Sequence, residues 1–124
     1  MINGIYWNPK APIFFSKADM RAADFKIKVI ADITCDINGS IPATTTATII
    51  GDSTFGYDVQ TEAEVAPYLP HTVDIMSIDN LPNELPRDAS EMFGDALFDH
   101  IIPELLTTDS EIIQKASIAK NGDL

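Results

Sequence analysis

One cysteine, Cys35, is all that this chain of 124 residues carries, so no intrachain disulfide can brace it. A lone thiol also suits a reducing compartment. Bases are scarce: eight Lys and Arg stand against nineteen Asp and Glu, for a formal net charge of −11, and the few bases are dispersed along the chain. Phosphate neutralisation needs clustered positive charge, so nucleic acid is not the expected partner. The acids are spread out too and read as solvated surface. Nowhere does an apolar run approach the roughly 18 residues that span a bilayer, and no basic segment precedes an apolar one at the start. These absences predict a soluble, cytoplasmic chain without membrane contact. Histidine is limited to His71 and His100, neither at ligand spacing from the other or from Cys35, so no metal site is expected. His71 beside Pro70 reads as a loop residue, and His100 as a helix-end residue favoured by the dipole.

Chemical motifs are missing as well. There is no GxGxxG and no GxxxxGK[ST], so neither dinucleotides nor nucleoside triphosphates have their usual phosphate cradle here. Ser40 follows Gly39 but lacks the second glycine of a nucleophile elbow. No catalytic residue is nominated from these residues alone.

What is present is 45% hydrophobic content with no second composition regime, enough for one core. Residues 73–78, VDIMSI, read as a largely buried strand. A polar loop stiffened by Pro82 and Pro86 follows, within IDNLPNELPRDASE (78–91), and biases Leu81 and Leu85 toward extended backbone. Then Met92, Phe93, Ala96, Leu97, Ile101, Leu105 and Leu106 recur at helical steps, with Pro103 interrupting near the end. A polar loop between such a strand and helix is either a ligand edge of an open α/β sheet or an ordinary connection.

Upstream, residues 2–7 read as a first strand and Ser16 with Asp19 as the capping arrangement of a short helix reaching about residue 24. Residues 25–33, FKIKVIADI, read as a second strand. Strand, helix, strand predicts a βαβ unit with parallel strands and a right-handed crossover. A second polar loop, TCDINGSIPATTT (34–46), follows that strand. Its Asp36 is either an acceptor aimed at a ligand or a turn acid bonding local amides, and local turn chemistry favours the second. Residues 47–51 and 54–59 suggest a hairpin around Gly51 and Asp52, with Phe55 and Tyr57 as a small satellite core. Residues 60–71 read as an acidic connection. Thr108 with Glu111 suggests a capping box for a last helix through about residue 119, stopped by Asn121 and Gly122. The expected fold is α/β: a partial Rossmann-like parallel sheet, βαβ plus a further strand, with a long C-terminal helix.

Four blocks carry a resemblance. VIADITCDINGSI (29–41), TIIGDSTFGY (48–57) and SIDNLPNELPRDASEMFGD (77–95) resemble, in that order, the C-terminal part of the lysine-forming saccharopine dehydrogenases and of lysine-ketoglutarate reductases. INGIYWNPKAPIFFSKAD (2–19) resembles the segment before that strand in the reductases, including the Tyr6 and Trp7 pair. More distantly the layout is similar to alanine dehydrogenase and the nicotinamide nucleotide transhydrogenase subunit.

The resemblance implies two Rossmann-like domains with a substrate cleft between them, the glycine fingerprint and the catalytic lysine and histidine lying upstream of the matched region. On that footing residues 1–87 are expected to be the terminal portion of a dinucleotide-binding domain, and 88–124 a helical segment returning toward the other domain. The implied cofactor is NAD or NADP, bound weakly or not at all by the isolated chain, and the implied substrates are saccharopine, lysine and 2-oxoglutarate. Asp36 takes the place of an aspartate beside the nicotinamide in the alanine dehydrogenase relatives. Asn80 and Leu81 match the loop next to the ring, with Leu81 packing on it. Arg87 either pairs with a substrate carboxylate or forms an ion pair with Glu84 or Asp88, and Glu91 reads as a helix-start acid. Two other readings stay open: an inactive stand-alone fragment that self-associates as a homo-oligomer, and one subunit of a split enzyme whose upstream half is a separate chain.

Overall fold

A computed structural model describes residues 1–107 and 109–119. Two compact units make it up, Met1–Leu81 and Pro82–Leu124. In the first, β1 (Ile2–Asn3), β2 (Val29–Asp32), β3 (Thr54–Asp58), β4 (Ala63–Val65) and β5 (Thr72–Met76) form one sheet in the order β1-β2-β5-β3-β4. The fold is α/β, as the sequence predicts, but the sheet is mixed. β1, β2 and β5 are parallel, whereas β3 runs antiparallel to β5 and to β4.

The first strand is shorter than residues 2–7, and the second begins at Val29 rather than at Phe25. Between them α1 (Lys17–Met20) carries the expected capping box: Ser16 Oγ accepts from Asp19 N at 3.1 Å, and Ser16 N donates to Asp19 Oδ2 at 2.7 Å. The helix ends at Met20, short of residue 24.

The proposed hairpin needs correction. Residues 48–52 make a tight turn, with Ile49 bridged to Asp52 and Thr48 bridged in parallel to Ile78, while β3 pairs with β5 and β4. The connection at 60–71 therefore hides β4. Asp58 Oδ1 accepts from Gln60 N at 2.8 Å and from Thr61 N at 3.4 Å, turning the chain between β3 and β4. The Gln60 amide also holds the Asp58 carboxyl below its ordinary 3.8, aided by Thr61 and His71 and opposed by desolvation. A short, charged edge strand such as AEV carries little hydrophobic periodicity to read. Arg21 and Lys17 both pair with Glu62 in that turn, tying α1 to it.

Burial alternates along the parallel strands as the pleat requires. Ile30 and Asp32 of β2 and Val73 and Ile75 of β5 face inward, and Val29 stays exposed. Phe55 and Tyr57 are not a satellite: they join Met20, Ile30, Ile41, Ala43, Val73 and Ile75 in the one core cluster. Each large aliphatic side chain there contributes about 1.5–3 kcal/mol. Phe15 and Phe25 pack against this cluster, edge to face at 5.1 Å.

Tyr57 is fully buried, yet its hydroxyl has no partner among the described residues. Its ring instead meets Lys17 Nζ at 5.8 Å from the centroid. Removing an unsatisfied hydroxyl restores no lost bond and relieves desolvation, so Tyr57→Phe should leave stability unchanged or raise it by about 1 kcal/mol. A urea melt showing a loss of that size would contradict this account of the core.

A 3-10 helix over Leu81–Glu84 begins on the last residue of the first unit and leads into the helices of the second, α2 (Pro86–His100), α3 (Ile102–Leu105) and α4 (Glu111–Ala116). Pro86 opens α2, where its missing N–H costs nothing. Pro103 at the start of α3 marks the expected interruption, and His100 lies in the last turn of α2. The apolar stripe is helical, but Met92, Phe93, Leu105 and Leu106 are exposed and α2 buries no residue fully. Glu91 sits beyond the first turn, which Asp88 occupies instead. Ser110 caps α4, accepting from Ile113 N at 3.2 Å, so Glu111 is a first-turn residue rather than half of a capping box. Thr108, Asn121 and Gly122 lie outside the described residues. Among the described residues no helix is long and apolar enough to cross a membrane.

Candidate functional site at the strand ends

Because β1, β2 and β5 are parallel, their carboxyl ends share one edge of the sheet. Ligands of open α/β sheets bind beyond such ends. Three segments leave this edge, 4–7, 33–38 and 77–81, and Thr54 of β3 enters beside Met76.

The edge is built on a buried polar network. Asp32, the last residue of β2, is fully buried, as are Asn3, Ser40 and Thr44. Asn3 Nδ2 donates to Asp32 Oδ1 at 2.7 Å and to Ser40 Oγ at 2.8 Å. Thr44 Oγ1 donates to Asp32 Oδ2 at 2.6 Å, and Cys35 N donates to Asp32 Oδ1 at 3.3 Å. One carboxylate thus gathers the end of β1, the end of β2 and the far side of the loop that follows. Burying polar groups is costly unless they are satisfied in this way.

Neighbouring loops are stitched together as well. Thr34 Oγ1 donates to Ile5 O at 2.7 Å, and Cys35 Sγ donates to Ser77 O at 2.8 Å. Ser77 Oγ in turn donates to Thr46 O at 2.7 Å, and Thr48 N donates to Ser77 O at 2.9 Å. Burial pushes the Cys35 thiol up from its ordinary 9.0, and the nearby Asp32, Asp79 and Asp36 carboxylates push it further in the same direction. The thiol is therefore a proton-holding donor rather than a nucleophile. Cys35 adopts φ 55° and Asn38 φ 52°, the left-handed region that costs a non-glycine residue about 1–2 kcal/mol.

Asp36 follows this strained residue and is half-buried. Its backbone carbonyl closes a turn by accepting from Gly39 N at 2.8 Å, while its carboxylate takes no hydrogen bond among the described residues. Asn80 is exposed in the turn after β5, and Leu81 is half-buried at the head of the 3-10 helix. The pairing of β2 with β5 and the Cys35–Ser77 bond bring the loops bearing these three residues to the same edge. Arg87 is exposed on the first turn of α2 in the second unit, and no ion pair with Glu84 or Asp88 forms among the described residues.

Sequence reasoning singled out Asp36 and missed Asp32, because VIADI reads as a continuous apolar strand with one acid. Strand parity carried the missing signal: with Ile30 inward, Asp32 must also face inward. The packing around Asp36 is tight. A Cβ on Gly39 would meet Asp36 Cβ at 2.5 Å, Asp36 O at 2.8 Å and Trp7 Cε3 at 3.2 Å. Gly39→Ala should therefore cost about 1–3 kcal/mol in a urea melt and displace Asp36. A cost indistinguishable from zero would mean that this turn yields freely.

A shallow groove of about 250 Å³ lies near the same edge, lined by Thr46, Thr48, Thr54 and Phe55 with the acids Asp52 and Glu64. Among the described residues no group of three or more His, Cys, Asp or Glu could hold a metal ion.

No protein-family model matches the chain. Three curated proteins illustrate what it is similar to. Alpha-aminoadipic semialdehyde synthase, mitochondrial, of Bos taurus is 29% identical over 151 aligned positions, covering all of this chain and 16% of that protein. Alpha-aminoadipic semialdehyde synthase of Arabidopsis thaliana is 32% identical across 78% of this chain and 9% of its own length. Saccharopine dehydrogenase [NAD(+), L-lysine-forming] of Schizosaccharomyces pombe is 32% identical over 85% of this chain and 26% of its own length. The chain thus spans about a quarter, or less, of each of these relatives.

Proposed function

We propose, from the premise that this chain is a distant relative of the saccharopine dehydrogenases and alpha-aminoadipic semialdehyde synthases, that it supplies part of the nicotinamide and substrate cleft of an oxidoreductase. The reaction is the interconversion of saccharopine with lysine and 2-oxoglutarate. The observation that carries the reading is the parallel strand-end edge, where the loop of Asp36, whose carboxylate takes no hydrogen bond among the described residues, adjoins the loop of Asn80 and Leu81.

These residues fit a nicotinamide. Asp36 offers an unengaged acceptor, the Asn80 amide both donates and accepts, and half-buried Leu81 offers an apolar surface for a ring. When bound, the cofactor supplies the hydride chemistry. In the first unit Asn80 and Leu81 would orient the ring's carboxamide and Asp36 would order the substrate amine; in the second unit, taken by itself, the exposed Arg87 would offer its guanidinium to a carboxylate. The printed names of the fungal relatives favour NAD over NADP. Half-buried, protonated Cys35 suits a reducing compartment such as the cytoplasm, while the bovine relative's name places that protein in mitochondria.

A second reading, an inactive chain that self-associates, draws on the exposed Ile2 and Val29 of the sheet and on the uncovered Met92 and Phe93 of α2. One chimera separates the two. This chain would replace the aligned quarter of the fission-yeast saccharopine dehydrogenase, and saccharopine-dependent NADH formation would be assayed. Activity above that of the truncated host is expected. A folded chimera that binds NAD but gives no activity would overturn the reading.

A further inference from the structure

We infer that Asp32 is a positioning residue for Asp36, holding the loop after β2 in its ligand-ready shape through Cys35 and Thr44. The inference rests on the reading of Asp36 given above.

Four observations combine. Asp32 is fully buried, with no lining of the cleft left for it, so it acts only through its neighbours. It grips the loop at both ends: Cys35 N immediately before Asp36, and the Thr44 hydroxyl on the returning limb of the loop. Thr44 extends that grip inward, because its backbone carbonyl accepts from Asn38 N at 2.8 Å and Asn38 is itself left-handed. Cys35 is held in its unfavourable φ from two sides, by Asp32 at its amide and by the Ser77 carbonyl at its thiol. A strained residue persists only where its surroundings over-determine it, and such residues cluster where geometry serves a ligand. Here the strain sits one residue before the carboxylate that the cofactor reading requires. If the turn served the fold alone, glycine would occupy position 35 at lower cost.

Two variants of the full chain test this, each followed by amide hydrogen exchange, urea melting and titration with NADH. Thr44→Val removes the donor to Asp32 Oδ2. Cys35→Gly removes the thiol tie and the strain together, and it keeps the test decisive should Thr44→Val fold poorly. For Cys35→Gly we expect an unchanged or higher urea midpoint, exchange at the Asn38 and Gly39 amides about tenfold faster, and NADH binding weakened about fivefold by lost preorganisation. Asp32→Asn is expected to retain protection at Asn38, because its amide oxygen still accepts from Cys35 N and its amide nitrogen can donate to the Thr44 hydroxyl once that hydroxyl turns.

Unchanged protection in both variants would overturn the inference, whatever the ligand does. Faster exchange with unaltered NADH binding would also overturn it, since the loop's shape would then not matter to the site. An unvaried chain that shows no NADH effect at Asp36 would refute the cofactor reading, and with it the ligand side of this inference, while the exchange data still decide whether Asp32 sets the loop.

Discussion

Asp32→Ala is expected to lower the stability of the unit Met1–Leu81 by about 3–5 kcal/mol, a large part of the 5–15 kcal/mol that holds a typical domain together. The substitution removes little apolar contact. Its cost comes from the donors it strands: Asn3 Nδ2 loses one of its two acceptors, and the Thr44 hydroxyl and the Cys35 amide each lose their side-chain acceptor, the two side chains in fully buried positions. Each stranded group costs about 1–3 kcal/mol. Asp32→Asn keeps one oxygen and the side-chain shape, so it should cost less than half as much. Asn3→Ala and Asp32→Ala share a bond, and their combined effect should fall short of the sum. Urea unfolding of the unvaried chain, the three single variants and the double variant checks these expectations. A loss below about 1 kcal/mol for Asp32→Ala would mean that water replaces the network at little cost.

Asp36→Ala should behave in the opposite way. Its carboxylate accepts no bond from the protein among the described residues, so truncating this half-buried side chain strands no donor and stability should change by less than about 0.5 kcal/mol. Function should change much more. A hydrogen bond to a charged group is worth about 1.5–3 kcal/mol, so the chimera should lose about tenfold to a hundredfold in saccharopine turnover. Asp36→Asn, which keeps an acceptor but not the charge, should fall between. If Asp36→Ala kept full turnover, the residue would be a turn acid, the alternative that local turn chemistry favours.

The contrast between the two aspartates shows what the sequence could and could not disclose. Asp36 stands in a polar loop with Asn38, Gly39 and Pro42, where composition alone marks a strand end. Asp32 lies inside an apolar strand, and its importance depends on Asn3, Ser40 and Thr44, which only the fold brings to it. The parallel pairing of β1 with β2 was legible because a capping box at Ser16 separates two apolar runs. The reversal of β3 was not, because Phe55 and Tyr57 alternate identically in either strand direction. β4 was hidden by its own chemistry: an edge strand of Ala63, Glu64 and Val65 has no hydrophobic period to detect. The helical stripe of α2 was readable from spacing, but spacing says nothing of what covers Met92 and Phe93.

On the function proposed above, the strand-end loops of this chain would face a nicotinamide. Backbone amide shifts of the isotopically labelled chain, followed during titration with NADH at millimolar concentrations, test it most directly. Small shifts that still grow at millimolar NADH, as weak binding to part of a site requires, are expected at Thr34, Cys35 and Asp36 and at Ser77 through Leu81, and are lost in Asp36→Ala. Shifts confined to the groove of Thr46, Asp52 and Glu64, or no shift at either loop, would contradict it.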